Sequence, residues 1–152
     1  VHTALISGVT HTVEEAVYAV EGVGPAELFE ALAAAEVNVD TIIQMDSRIV
    51  FSAPVEDRPH AEQALAGLGA GFSEQEGLGK VSVVGAGMKS HPGVAARTFA
   101  TLRELGVEPR FIATSPIKIA FYVPHESVEP TVRALHQIFD LASPQAERPH
   151  LD

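Results

Sequence analysis

The residues best placed to do chemistry lie in one stretch, Met88-Lys89-Ser90-His91-Pro92-Gly93-Val94, directly after Gly85-Ala86-Gly87. A β-branched run precedes it and an apolar-periodic run follows it, so it reads as strand end, small polar loop and helix start. The free N–H groups of a first helical turn and the positive end of the dipole suit a carboxylate or another small anion. The same residues also read as a plain capped turn, with Ser90 or His91 at the N-cap and Pro92 at the first helical position. The glycines do not make a nucleotide site: Ser90 stands where the third glycine of the dinucleotide fingerprint belongs, and no Walker lysine pattern exists. Ser90 and His91 are adjacent without a Gly-x-Ser-x-Gly elbow, and adjacency does not make a triad. The seven histidines form no His-x-x-x-His pair and no Glu-x-x-His cluster on a predicted helix face. His60 and His125 fall near helix starts and His136 on a helix, while His2, His11 and His150 fall in loops or tails. No catalytic constellation, metal site or cofactor is expected.

Composition narrows the partners. The 152 residues carry 10 Lys+Arg against 20 Asp+Glu, a formal charge of −10. An acidic surface repels a phosphate backbone, which excludes nucleic acid and anionic membrane as partners. No apolar run approaches the ~18 residues of a membrane span. Zero cysteines exclude disulfides, thiol catalysis and thiolate metal sites. A soluble, cytoplasmic protein is expected.

The elements that position the loop come from an internal repeat. A shift of 70 residues aligns Phe29 with Phe99, Leu32 with Leu102, Val37 with Val107, Ile42 with Ile112, Phe51 with Phe121, Pro54 with Pro124 and Leu65 with Leu135. Within each copy, periodicity predicts a strand (Ala16–Val20 and Val81–Val84), a helix (Ala26–Ala35 and Val94–Leu105, stopped by Gly106), a hairpin and a second helix. The hairpins are Val37–Met45 with Arg48–Ala53, turning at Asp46-Ser47, and Arg110–Ala113 with Ile117–Val123. Asp57 and Ser127 are predicted N-caps of the second helices. A last strand around Gly71–Gln75 completes the first copy. The second copy lacks one, and the unassigned apolar segment Thr3–Gly8 is predicted to supply it. The fold class is therefore α+β, two ferredoxin-like βαββαβ modules. The first covers residues 14–77; the second is discontinuous, 78–141 plus 2–10, leaving 142–152 as a flexible tail.

At the loop a resemblance becomes specific. The string from Gly79 to Val94 resembles the second ACT domain of aspartate kinases of the lysine- and threonine-inhibited type. Ile6-Ser7-Gly8-Val9, Val37-Asn38-Val39-Asp40, Ile43-Gln44, Ile112-Ala113-Thr114-Ser115 and Arg133-Ala134-Leu135-His136 follow in the right order, so the resemblance covers about residues 3 to 141. It implies the regulatory part of such a kinase, either a separate β subunit or a C-terminal region, without the kinase domain. It further implies ACT modules paired across a homodimer, lysine and/or threonine as feedback effector, and a catalytic subunit or domain as partner. Carried over residue by residue, the effector site joins Ser90, His91, Pro92, Gly93 and Val94 to Asn38, Val39 and Asp40, with Ser115 nearby.

The pseudo-symmetric site departs from the family pattern. The strands pair at a shift of 64 and the helices at 70, so the first module is six residues shorter there, and only Gly22-Val23-Gly24-Pro25 remains of its loop. On the other half, Glu108-Pro109 stands where the family usually carries Asn-Ile. Pro109 has no N–H to donate and Glu108 repels a carboxylate. Gln44 then faces a degraded site, and one working site type is expected. The alternative is a dimerisation scaffold that has lost effector binding.

Overall fold

A computed structural model describes residues 6–85 and 92–139. It opens with one long strand, β1 (Ile6–Glu21). Sequence reading placed two separate strands and a loop at His11 in this region, and the structure corrects that. His11-Thr12-Val13-Glu14-Glu15 contains no glycine, proline or asparagine, so nothing local stops the strand. Neighbouring strands take up the backbone hydrogen bonds of both halves.

The chain then runs α1 (Pro25–Ala34), β2 (Thr41–Met45), β3 (Arg48–Pro54), α2 (Arg58–Leu68), β4 (Gly71–Glu74), β5 (Leu78–Gly85), α3 (Gly93–Leu105), β6 (Phe111–Ser115), β7 (Lys118–Pro124) and α4 (Val128–Ile138). It divides into two compact units, Glu14–Leu78 and Val1–Val13 with Gly79–Asp152. The division falls inside β1, which gives its second half to the former and its first half to the latter.

In the unit Glu14–Leu78 the strand order is β4-β1-β3-β2. Antiparallel register places Tyr18 opposite Phe51 on β3 and opposite Glu74 on β4, and Ile42 opposite Phe51. Helices α1 and α2 pack side by side. Leu28 and Leu32 of α1 and Ala61 and Leu65 of α2 bury against Tyr18, Val20, Ile49 and Phe51. Each large aliphatic side chain among these contributes about 1.5–3 kcal/mol when fully removed from water.

In the other unit the order is β1-β5-β7-β6, the same arrangement built with the first half of β1 as its edge. The Ser7 hydroxyl donates to the Val84 carbonyl at 3.2 Å. Val9, Val81, Val83, Phe121 and Val123 form the sheet side of the core, and Val94, Leu102, Val128, Val132 and Leu135 the helix side. Gly79 fixes the closeness of the layers: a Cβ there would stand 2.3 Å from the Val13 carbonyl oxygen and 2.5 Å from Val128 Cγ2. Only glycine fits at that position.

Two local expectations are corrected. Val37–Asp40 precedes β2 rather than belonging to it: Val37 N–H donates to Leu32 at the end of α1, and Asp40 N–H donates to Ser52 at 2.8 Å. Asp57 sits at the N-cap of α2 but makes no side-chain cap bond. A 3-10 turn, Val55–Asp57, leads directly into the helix, and the Asp57 carboxylate instead accepts the Asn38 N–H at 2.9 Å. Ser127 follows the same 3-10 entry into α4, again without a side-chain cap.

Candidate functional site

The two strand-to-helix connections differ in the way that matters for an anion. In the unit Glu14–Leu78, Glu21 ends β1 and only Gly22–Gly24 leads into α1. Gly22 turns the chain at φ 80. Gly24 is the N-cap with no capping side chain, and Pro25 occupies the first turn. The carboxylate of Glu27 folds back onto this end: its Oε1 stands 2.7 Å from where a Gly24 Cβ would be. A glutamate at that helical position complements the positive end of the dipole from within the chain. The start of α1 therefore already has a carboxylate.

In the other unit the connection runs over residues 86–92. Of the candidate loop, Ser90 and His91 lie outside the described residues. Pro92 and Gly93 are exposed, and Val94 is buried in the core, which anchors the first turn of α3. The six-residue difference between repeats reduces to four in the connections, because α3 begins two residues earlier than α1 in the repeat's register. The end of β5 is tied to the β6–β7 hairpin: Gly85 N–H donates to the Ile117 carbonyl at 2.9 Å, and Ile117 N–H donates to Ser115 Oγ at 3.3 Å. Ser115 is thus placed beside the point where the candidate loop leaves the sheet.

The strand half of the candidate site lies in the unit Glu14–Leu78. Asn38 and Asp40 are exposed and Val39 is half-buried. In this segment the Asn38 N–H is given to the Asp57 carboxylate and the Asp40 N–H to the Ser52 carbonyl. Its counterpart in the other unit keeps the backbone scheme, since Arg110 N–H donates to Tyr122 as Asp40 does to Ser52. Glu108 and Pro109 then occupy the positions of Asn38 and Val39, with the Glu108 carboxylate exposed. Gln44 is exposed on β2.

Sequence reading missed Glu27 and Arg97, and it read Asp57 as an N-cap rather than as the acceptor of the Asn38 N–H. The shift of 70 that pairs the helices also pairs Glu27 with Arg97, an opposite charge at one repeat position, and that contrast was the available signal. A further polar group lines a concavity in the unit Glu14–Leu78. Arg58 Nε meets Glu74 Oε2 at 2.9 Å, and Glu14, Glu76 and Gly77 line the same hollow. Burial tends to lower the Arg58 guanidinium pKa, but the bond and charge of Glu74 outweigh it and hold it high. Nearby, the Tyr18 hydroxyl donates to Glu62 at 3.0 Å. Burial first, then the Glu62 bond, pushes its pKa well above the ordinary tyrosine value. No helix among the described residues is long and apolar enough to cross a membrane.

Residues 81–139 match the family described as ACT domain. An aspartokinase from Mycolicibacterium smegmatis is 36% identical over 155 residues, covering 91% of this chain and 37% of that protein. The chain thus spans little more than a third of the length of that relative. Several solved structures match at nearly their full length. The ligand-free regulatory subunit of aspartate kinase from Thermus thermophilus has 30% identity and a TM-score of 0.79, covering 88% of this chain and 97% of that one. A structure of aspartokinase alpha and beta subunits has 33% identity and a TM-score of 0.78, covering 89% and 99%.

Proposed function

The chain belongs to the family of aspartate kinase regulatory subunits, whose ACT fold is regulatory rather than catalytic, and from that premise we propose that it senses lysine and/or threonine in feedback inhibition of an aspartate kinase. The effector would sit on Ser90, His91, Pro92, Gly93 and Val94 together with Asn38, Val39 and Asp40, with Ser115 beside them. The N–H groups at the start of α3 take its carboxylate, and Asp40 or a backbone carbonyl takes its ammonium. Binding regulates only if one arrangement of the assembly holds the amino acid better than the other. The partners proposed are a second copy through the ACT modules and an aspartate kinase catalytic subunit or domain, in the cytoplasm. The solved aspartokinase alpha and beta subunits support such an association.

The observation that carries this reading is the contrast between the two helix starts. Glu27 puts a negative charge in the first turn of α1, which disfavours a second carboxylate there, whereas the first turn of α3 carries no acidic residue and seven residues separate it from β5. One site type follows, with Gln44, Glu108 and Pro109 on the degraded side. Titration calorimetry with L-lysine and L-threonine tests it. A single class of site for either amino acid is expected. Two independent isotherms would sink the one-site reading, and no heat with either would favour the dimerisation scaffold.

A further inference from the structure

Two hydroxyls in the unit that carries α3 are buried without a partner. Thr98 on α3 and Thr131 on α4 are both 0% exposed. Among the described residues, neither Oγ1 has a hydrogen-bond partner. The neighbouring Thr101 shows the ordinary solution, donating to the Arg97 carbonyl one turn back at 2.8 Å. The repeat makes the pair informative. A shift of 70 places Thr98 on Leu28 and Thr131 on Ala61, both also 0% exposed and both in the core of their own unit. Where one unit packs two apolar side chains between its helices and sheet, the other has hydroxyls at both positions. A buried hydroxyl that gives up water and gains no bond destabilises the arrangement that holds it. An arrangement in which it finds an acceptor gains by comparison.

We propose that Thr98 and Thr131 make the packing of α3 beside α4 the adjustable contact of this unit, the place where α3 shifts when a ligand engages its first turn. The ligand-dependent part rests on the effector reading above. Thr98 lies within the second turn of α3, so a pull on the helix start displaces it directly. In the shifted arrangement the hydroxyls gain acceptors, and effector binding is favoured by that gain. The counterpart pair Leu28 and Ala61 has no polar atom to satisfy, and α1 and α2 stay in one packing.

The test uses the full chain, comparing wild type with the double variant T98L/T131A, which copies the other unit, and with T98V/T131V, which removes only the hydroxyls. Hydrogen exchange is read on α3 and α1, with and without L-lysine and L-threonine. Amides of α3 are expected to exchange roughly tenfold faster than those of α1 in wild type and to slow by about that factor in both variants. The thermal shift given by whichever amino acid binds is expected to shrink in the variants. Wild-type α3 protected as well as α1, or unchanged exchange in T98V/T131V, would overturn the proposal. An unchanged ligand-induced shift in T98V/T131V would overturn the coupling. If exchange behaves as expected while wild type binds neither amino acid, the adjustable contact stands and the effector reading falls.

Discussion

The Arg97 guanidinium lies 4.8 Å from the centroid of the Phe139 ring, and it donates to the neighbouring Ile138 carbonyl. A side chain from the middle of α3 thereby closes the C-terminal end of α4. In the other unit α2 ends on Gly69 in the left-handed region, the usual glycine stop. Phe139 at the matching position has φ −102 and cannot end the helix that way. A cation supplied by the neighbouring helix satisfies the orphan carbonyl instead.

Replacing Arg97 removes that closure. R97A is expected to lower stability by about 2 kcal/mol, the low end of the sum of one charged hydrogen bond and one cation–π contact, because the bond is exposed. R97K should recover part of the loss, since an ammonium keeps the charge but not the planar stacking. Urea unfolding of the two variants checks the order.

Gly79 admits no side chain. G79A drives a Cβ into the backbone of β1 and the Val128 methyl, and β1 cannot retreat without losing its pairing. A loss of roughly 3 kcal/mol is expected. It should appear as a large fall in melting temperature, whereas the same substitution at Gly93, with nothing within 4 Å, should change stability little.

The ends of α1 and α3 share one hydrogen-bond pattern but not one residue. Val107 N–H donates to Leu102 and Gly106 N–H to Arg103, as Val37 does to Leu32 and Glu36 to Ala33. Gly106 has φ 73 and Glu36 has φ 61. E36G should therefore stabilise the protein by about 1 kcal/mol, because glycine holds this conformation without a Cβ penalty. Denaturant midpoints of wild type and E36G decide it.

Tyr18 makes stability fall at high pH. Its folded pKa is raised above its unfolded value, so the contribution is complete below about pH 10. Above that, the unfolded chain loses its proton while the folded one keeps it, and stability drops by up to about 1.4 kcal/mol per pH unit. Y18F should flatten this slope between pH 10 and 11 and leave neutral-pH behaviour without that dependence.

Much of the fold was legible because a repeat samples each position twice. Of the repeat pairs Phe29/Phe99 and Phe51/Phe121, the second is fully buried in the two cores, and the half-buried first pair meets it edge-on. Strand counting required Thr3–Gly8 to join the second module, and the described part of that segment, from Ile6, lies in β1 beside β5. Two features escaped. Asp57 has the residue type of an N-cap, but its partner, the Asn38 N–H, is brought to it from nineteen positions away. His11 was read as a loop residue because the partners of this part of β1 lie on other strands. The candidate site was legible as two motifs and as the charge of Glu108, while Ser90 and His91 fall outside the described residues.

The sequence by itself determined the modules, since apolar periodicity and strand count are local and additive, and it singled out the loop before α3. Only the tertiary structure decided how polar groups are used. It turned Asp57 into a partner for Asn38, set the Glu27 carboxylate at the start of α1, closed α4 with Arg97 and left Thr98 and Thr131 without acceptors among the described residues. A hydrogen bond depends on angstroms across chain-distant segments, and residue type does not carry that distance.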